Sequence, residues 1–219
     1  AVLLEQGKTR FSLWAPDARS VAVELDGGRR YSLEKTAGGW FVAEIPAGAG
    51  TRYQYRIDDG LLVPDPASRA QSGDVHSQSV VVDPHAYAWQ STDWLGRPWR
   101  ETVLYELHVG LLGGYAGVEE HLPRLLELGV TAIELMPLNE FPGARNWGYD
   151  GVLPYAPEAS YGTPDELKHL IDAAHGLGLM VFLDVVYNHF GPDGNYLSAY
   201  AKDFFNHDLH TLSLIHISE

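Results

Sequence analysis

Near residue 100 the hydrophobic pattern changes period, and no single kind of layer accommodates both halves. Before that point, short apolar–polar alternations are broken by turn residues. Val21, Val23 and Leu25 alternate with Ala22, Glu24 and Asp26, the two-residue period of a half-buried strand, and Gly27-Gly28 and Gly38-Gly39 punctuate the run. Tyr53, Tyr55 and Ile57 share one face against Arg52, Gln54 and Arg56. With Phe11–Ala15, Trp40–Ile45 and Ser79–Asp83 this makes about five short strands at the spacing of an antiparallel sandwich. Residues 1–83 are therefore expected to form a small all-β domain.

Residues 84–101 carry Pro84, Gly96 and Pro98 together with Trp89, Trp94 and Trp99. Exposed tryptophans at that density are costly, so this stretch reads as a linker pinned to a domain by its rings. From residue 102 strands and helices alternate. Val103–Val109 is a strand candidate, and a helix is expected near Val118–Leu128, with Leu122, Leu125 and Leu126 as its stripe and Gly129 as its stop. Pro123 inside that helix predicts a later start or a kink. Ala132–Leu138 reads as a second strand. Thr163, Pro164 and Glu166 make a capping box with proline in the first helical position, and Leu167, Leu170, Ile171 and Ala174 follow at helical spacing. Leu179–Leu183 is a continuous apolar run, as in a parallel strand covered on both faces. Repeated βαβ units of this kind imply a parallel sheet.

Composition removes several function classes. The chain has 219 residues and no cysteine, so it has no disulfides, no thiol nucleophile and no Cys-based metal centre. Its 15 Lys+Arg against 29 Asp+Glu leave a formal charge of −14, which repels nucleic acid and anionic membranes alike. No apolar run approaches the ~20 residues of a membrane span. Ala1–Glu5 shows no basic leader, and the expected location is the cytoplasm. Gly110–Gly114 lacks the Lys-Ser/Thr of a phosphate loop, and no Gly-x-Ser-x-Gly elbow occurs. The histidines outside the strand ends show no metal-ligand spacing, so neither metal nor cofactor is expected.

Chemistry in parallel βα proteins gathers at the carboxyl ends of strands, and three such ends can be read here. Asp184-Val185-Val186-Tyr187-Asn188-His189 places three hydrogen-bonding side chains within six residues, suited to a polyhydroxyl ligand or simply to a loop turn. Trp147-Gly148-Tyr149-Asp150-Gly151 combines ring faces that can stack on sugars with a carboxylate for their hydroxyls. A β-turn anchored by its aromatics explains the same residues, and for a lone motif that is the stronger reading. At the first strand, alternation puts Glu106 and His108 on one face; in a closed barrel they would point inward near the site, or they form an internal ion pair, the slightly favoured reading.

Taken together, these strand ends resemble glycoside hydrolase family 13, the α-amylase superfamily. Asp184–His189 matches that family's Asp-x-x-x-Asn-His signature at the end of its third barrel strand. The closer likeness is to trehalose-releasing members, through Tyr105–Gly110, Glu134–Pro137, Phe141–Gly143, Asn146–Gly151 and Asp184–Leu197. Phe11–Pro16 and Pro64–Arg69 resemble pieces of the family's N-terminal sandwich, of the immunoglobulin-like early set. The resemblance implies a β-sandwich followed by the first part of a (β/α)8 barrel, about three βα units. It implies retaining chemistry on an α-glucan, with two carboxyl groups ~5–5.5 Å apart, cleaving the α-1,4 bond beside the terminal trehalose of a maltooligosyltrehalose. Tyr149 would stack on the glucose at the cleavage position, His189 would bond its hydroxymethyl and Asp184 would orient neighbouring groups. Asn188 would hold the loop, and Trp147 and Asp150 complete the substrate-binding set.

The family's nucleophile, acid/base and transition-state-stabilising carboxylates belong to later strands, and none of this chain's carboxylates matches those signatures. No catalytic residue is therefore assigned within 1–219. After residue 101 about 118 residues remain, whereas such a barrel takes ~250, so the chain is expected to be an inactive fragment. Residues 102–211 would be partial barrel. The tail 212–219 stops matching after His210-Thr211 and reads like foreign translated sequence. The rival readings are the N-terminal part of a branching enzyme, a non-catalytic glucan-binding module, and a segment that does not fold alone.

Overall fold

A computed structural model describes residues 1–205. The sequence expectations for residues 206–211 and for the tail 212–219 lie outside the described residues.

The N-terminal half is a sandwich of two antiparallel sheets. Its strands are β1 (Val2–Leu3), β2 (Lys8–Trp14), β3 (Val21–Leu25), β4 (Arg30–Ser32), β5 (Glu34–Lys35), β6 (Trp40–Pro46), β7 (Arg52–Ile57), β8 (Leu61–Val63) and β9 (Ser79–Val80). One sheet runs β1-β2-β6-β5, the other β4-β3-β7-β8 with β9 also on β7. The alternation read from the sequence points Phe11, Leu13, Val23, Leu25, Phe41, Tyr53 and Tyr55 into one shared core. The strands outnumber the five expected because β1, β4, β5 and β8 are only two or three residues long, too short to show a period.

Residues 84–101 lie along the barrel half. Trp94 stacks on His175 with ring centroids 4.8 Å apart, and Trp99 meets Phe182 edge-on at 6.2 Å. Yet Trp99 stays 73% exposed, and the firmer tie is polar. Asp172, buried on the second helix, accepts the backbone N–H groups of Gln90 and Ser91, both at 2.8 Å, and the Tyr87 hydroxyl at 3.2 Å. Those bonds hold the Asp172 carboxyl below the ordinary carboxylate range.

The second half carries three parallel strands and the two helices that connect them, short of the three complete βα units expected. Strands β10 (Leu104–Leu107), β11 (Ala132–Leu135) and β14 (Met180–Leu183) form a parallel sheet in the order β10-β11-β14, and a hairpin of β12 (Asn139–Glu140) with β13 (Leu153–Pro157) is inserted after β11. Helices α1 (Gly114–Glu127) and α2 (Pro164–Gly176) cover one face, packing Val118, Leu122, Leu125, Leu170 and Ala174 on Leu107, Ile133 and Leu135. The capping box at Thr163 and Glu166 forms as the sequence predicts. Helix α1 starts earlier than expected and runs through Pro123, which lies on the exposed side, opposite the buried Leu122 and Leu125. Leu126 is exposed and does not belong to the stripe. The two-sided cover expected for the third strand is absent among the described residues: Phe182 and Leu183 are half-buried and exposed. The face opposite the helices carries the aligned row Glu106, Glu134 and Phe182.

Two glutamates fix the loop after β11. Glu140 accepts the Ala159 N–H at 2.9 Å, and Glu158 accepts those of Phe141 at 3.1 Å and Ser160 at 2.9 Å. Both carboxyls are fully buried. Desolvation, with the neighbouring Glu158 charge, pushes Glu140 up to about 8, and burial also raises Glu158.

Two predictions follow from these ties. Replacing Asp172 with Ala should free residues 87–91, and limited trypsin digestion should then cut at Arg97 and Arg100 well before the sandwich or barrel is attacked; an unchanged digestion pattern would show that the rings alone suffice. For Glu140 the folded state binds a proton more tightly than the unfolded chain. Stability is therefore fullest below the ordinary glutamate range and is lost as pH rises towards about 8. Urea midpoints measured from about pH 5 to about pH 8 should fall, and Glu140→Gln should flatten most of that slope.

Candidate functional site

The site is built from two loops at the carboxyl ends of β11 and β14. Asn146 organises the first. Its Oδ1 accepts the Gly148 N–H at 2.8 Å, an Asx turn, while its Nδ2 donates to Asp150 at 2.7 Å. Its carbonyl accepts from His108 Nε2 at 2.6 Å. His108 Nδ1 accepts the Leu111 N–H at 3.1 Å, so the ring proton must sit on Nε2. His108 thus ties the end of the first strand to the loop beyond the second, and it makes no ion pair with Glu106. Gly148 has φ +96° and a Cβ there would collide with the Pro137 carbonyl, so only glycine lets Tyr149 follow so close to the strand end.

The second loop lies directly on the first. Tyr149 donates its hydroxyl to Asp184 at 3.0 Å, and His189 Nε2 donates to the Tyr149 carbonyl at 2.9 Å. Gly191 donates its N–H to the Gly151 carbonyl at 3.1 Å. A side chain at Gly191 would overlap the Asp150 carbonyl. With Nε2 engaged, His189 Nδ1 is left as an acceptor, buried and without a partner.

Three carboxylates bear on Tyr149. Its hydrogen bond to Asp184, with desolvation and the charges of Asp184, Glu106 and Glu134, raises the phenol above its ordinary range. A cavity of about 850 Å³ opens beside it, lined by His108, Leu111, Arg145, Trp147, Tyr149 and Asp150. Trp147 is 76% exposed and Tyr149 38% exposed, so both offer ring surface to a ligand. The arrangement can stack an apolar ring face on an aromatic and meet hydroxyls with carboxylates and imidazole. Among the described residues no group of three or more His, Asp or Glu is placed to hold a metal ion, and no helix is long and apolar enough to cross a membrane.

Of the residues named from sequence, Tyr149, Asp184 and His189 come together in one bonded set, with Asp150 tied in through Asn146. Trp147 lines the cavity without joining that set. Asn188 is exposed, and among the described residues its side chain takes no hydrogen bond. Sequence reasoning gave Asn146 no role of its own and paired His108 with Glu106, whereas His108 binds the Asn146 carbonyl. The Asn-x-Gly spacing marks an Asx turn and could have pointed to Asn146; nothing local marks His108, whose partner lies 38 residues away.

Comparison with known proteins places this arrangement. The alpha amylase catalytic-domain family matches residues 68–210, and carbohydrate-binding module 48, the isoamylase N-terminal domain, matches residues 1–86. The chain is 50% identical over 200 residues to the malto-oligosyltrehalose trehalohydrolase of Deinococcus radiodurans, covering 90% of this chain and 33% of that protein. A Salmonella typhimurium protein described as an α-amylase superposes with a TM-score of 0.92 at 47% identity, over 95% of this chain and 36% of that one. A Paenibacillus barengoltzii pullulanase, solved with maltohexaose and α-cyclodextrin, superposes at 0.78 with 25% identity, over 90% of this chain and 39% of its own. The chain spans about a third of the length of the curated relatives it matches. It belongs to the α-amylase family, glycoside hydrolase family 13, with a module-48 sandwich ahead of the opening βα units of the catalytic barrel.

Proposed function

We propose that this chain supplies the substrate-holding side of a retaining α-glucan hydrolase that releases trehalose from maltooligosyltrehalose, and that the covalent chemistry falls to carboxylates on barrel strands beyond those described. The observation that carries the reading is the bonded set of Tyr149, Asp184 and His189 at adjacent strand ends. Of that set Tyr149 lines the open cavity, where Trp147, Asp150 and His108 join it. Tyr149 would stack on the glucose at the scissile bond, held at a fixed tilt by Asp184. His189 would bond the hydroxymethyl of that glucose, and its Nε2 holds the Tyr149 carbonyl. Asp150 and Trp147 would border the neighbouring sugar, and Asn188 would hold the loop. The name of the Deinococcus relative supports trehalose release, and the maltohexaose complex of the pullulanase supports a glucan ligand.

In the reaction so proposed, one carboxylate attacks the anomeric carbon and a second carboxylic acid protonates the leaving oxygen, at a separation of ~5–5.5 Å. The residues here would contribute positioning, which is worth about two orders of magnitude in rate when a reacting centre is displaced by ~1 Å. The proposed setting is the cytoplasm.

The sandwich supports a second reading, glucan binding without catalysis, because it matches a carbohydrate-binding module and keeps Trp40 46% exposed. The test separates the two. Extended with the remaining barrel strands of a trehalohydrolase relative, the chain should release trehalose from maltooligosyltrehalose, and Tyr149→Ala and His189→Ala should each lower kcat/KM by roughly 10²-fold with the fold intact. Near-unchanged turnover in those variants would remove the assigned roles. Retention on glycogen gels with no trehalose release from the extended protein would favour the binding module.

A further inference from the structure

The segment between β8 and β9 carries a turn that closes on itself. The Ser72 N–H bonds to the Gln78 carbonyl and the Ser77 N–H to the Asp74 carbonyl, both at 2.8 Å. Two glutamines tie this turn to the sandwich: Gln54 on β7 donates to the His76 carbonyl at 3.1 Å, and Gln71 donates to the Ser77 carbonyl at 3.2 Å. Asp74, Val75 and His76 at its tip are therefore fixed to the sandwich. Each of them also touches the barrel half.

Asp74 accepts the Gly143 N–H at 3.1 Å. Val75 is fully buried and packs with Val152, Leu153, Ala156 and Phe190, in a cluster separate from the two main cores. A Cβ at Gly194 would come within 2.7 Å of the Val75 side chain, so the loop after β14 passes closely over it. His76 has Nδ1 2.7 Å from the Tyr196 hydroxyl and Nε2 3.3 Å from Asp193. With its ring proton on Nε2, His76 donates to Asp193 and accepts from Tyr196. Burial, with the charges of Asp193 and Asp74, raises the Tyr196 phenol, which keeps the proton it donates.

The places of these contacts along the chain decide their effect. Gly143 precedes Tyr149 and Val152 follows it, so that loop is gripped on both sides of its ring. His189 hangs between the strand end at Asp184 and the gripped residues Phe190, Asp193 and Tyr196. A bond to one loop alone would leave the other free to shift. Three adjacent residues on one closed turn instead fix both loops relative to each other, and the Gly191 N–H meets the Gly151 carbonyl where the loops touch. We propose that Asp74 and His76 are positioning residues for the cradle, which set the spacing of Tyr149 and His189 from the sandwich without touching the sugar. The effect on sugar binding rests on the cradle being a glucan site; the grip on the two loops does not.

The test compares the 219-residue protein with Asp74→Ala, His76→Ala and Tyr196→Phe, and with His76→Asn, whose Oδ1 takes the place of Nδ1 and can still accept the Tyr196 hydroxyl. Maltotetraose titrations followed by nuclear magnetic resonance at the Tyr149 and His189 rings should show affinity roughly three- to tenfold weaker in both alanine variants, largely recovered in His76→Asn. Urea midpoints should stay unchanged. Adding Tyr196→Phe to His76→Ala should weaken binding no further, because both remove one contact. Equal affinity in wild type and the alanine variants would overturn the proposal and leave the sugar site standing. So would weakening that follows a lowered urea midpoint and is not recovered by His76→Asn, which marks a merely structural role. Wild type that takes up no maltotetraose would remove the sugar site instead, and hydrogen exchange at the Gly191 amide then decides on the grip. It should quicken in both Asp74→Ala and His76→Ala, since each frees one side of the same loop contact; unchanged exchange would overturn the grip as well.

Discussion

The geometry of the cradle rests on where the loop after β14 ends. That loop leaves the parallel sheet at Asp184 and finishes in the short helix α3 (Leu197–Tyr200), whose Tyr200, with Ala201, is buried in the core of the β-sandwich. The Tyr200 carbonyl accepts the Asp17 N–H at 3.2 Å, Asp17 in turn accepts the Lys202 N–H at 2.7 Å, and His76 Nδ1 meets the Tyr196 hydroxyl at 2.7 Å. Burying a ring of that size is worth roughly 1.5–3 kcal/mol, comparable to what the few hydrogen bonds along the loop supply together. The sandwich therefore serves as the far anchor of a barrel loop, and His189 and Asp184 hang between that anchor and the strand end.

The near anchor is steric. Glycines at 148, 151, 191 and 194 allow backbone to pass against backbone or side chain where a Cβ would collide with Pro137, Asn139, Asp150 and Val75 respectively. Two loops pressed this closely have little room to move independently, which is how a tyrosine that remains 38% exposed can still be fixed in orientation. Preorganisation of this kind is what a sugar site needs, since ring stacking and hydroxyl contacts are each weak and count only when presented together.

Much of this was legible in the sequence. Period-two alternation located β7 residue for residue and β3 to within one residue, and the Thr163–Glu166 box placed the start of α2, because these signals are local and periodic. The strand-end clusters around Tyr149 and Asp184 could be found for the same reason. What could not be read depends on contacts distant in sequence. The hairpin β12–β13 hides in polar residues, and the Glu140–Glu158 pair looks like two surface acids until the fold buries both. Leu126 kept the helical spacing but faces solvent, and Pro123 lies on the solvent side, where water can reach the carbonyl that its missing N–H leaves free; both follow from how α1 rotates onto the sheet, which no short window of sequence specifies. His108 is the clearest case, for its role is set by a carbonyl on another loop.

The central claim is that Tyr149, Asp184 and His189 form one preassembled sugar cradle in this chain. Its most direct test is a nuclear magnetic resonance titration of the 219-residue protein with maltotetraose, following the Tyr149 and His189 ring signals. The account predicts saturable shifts at both rings that disappear together in Tyr149→Ala. Shifts confined to the sandwich around Trp40, or rings that do not respond, would contradict it.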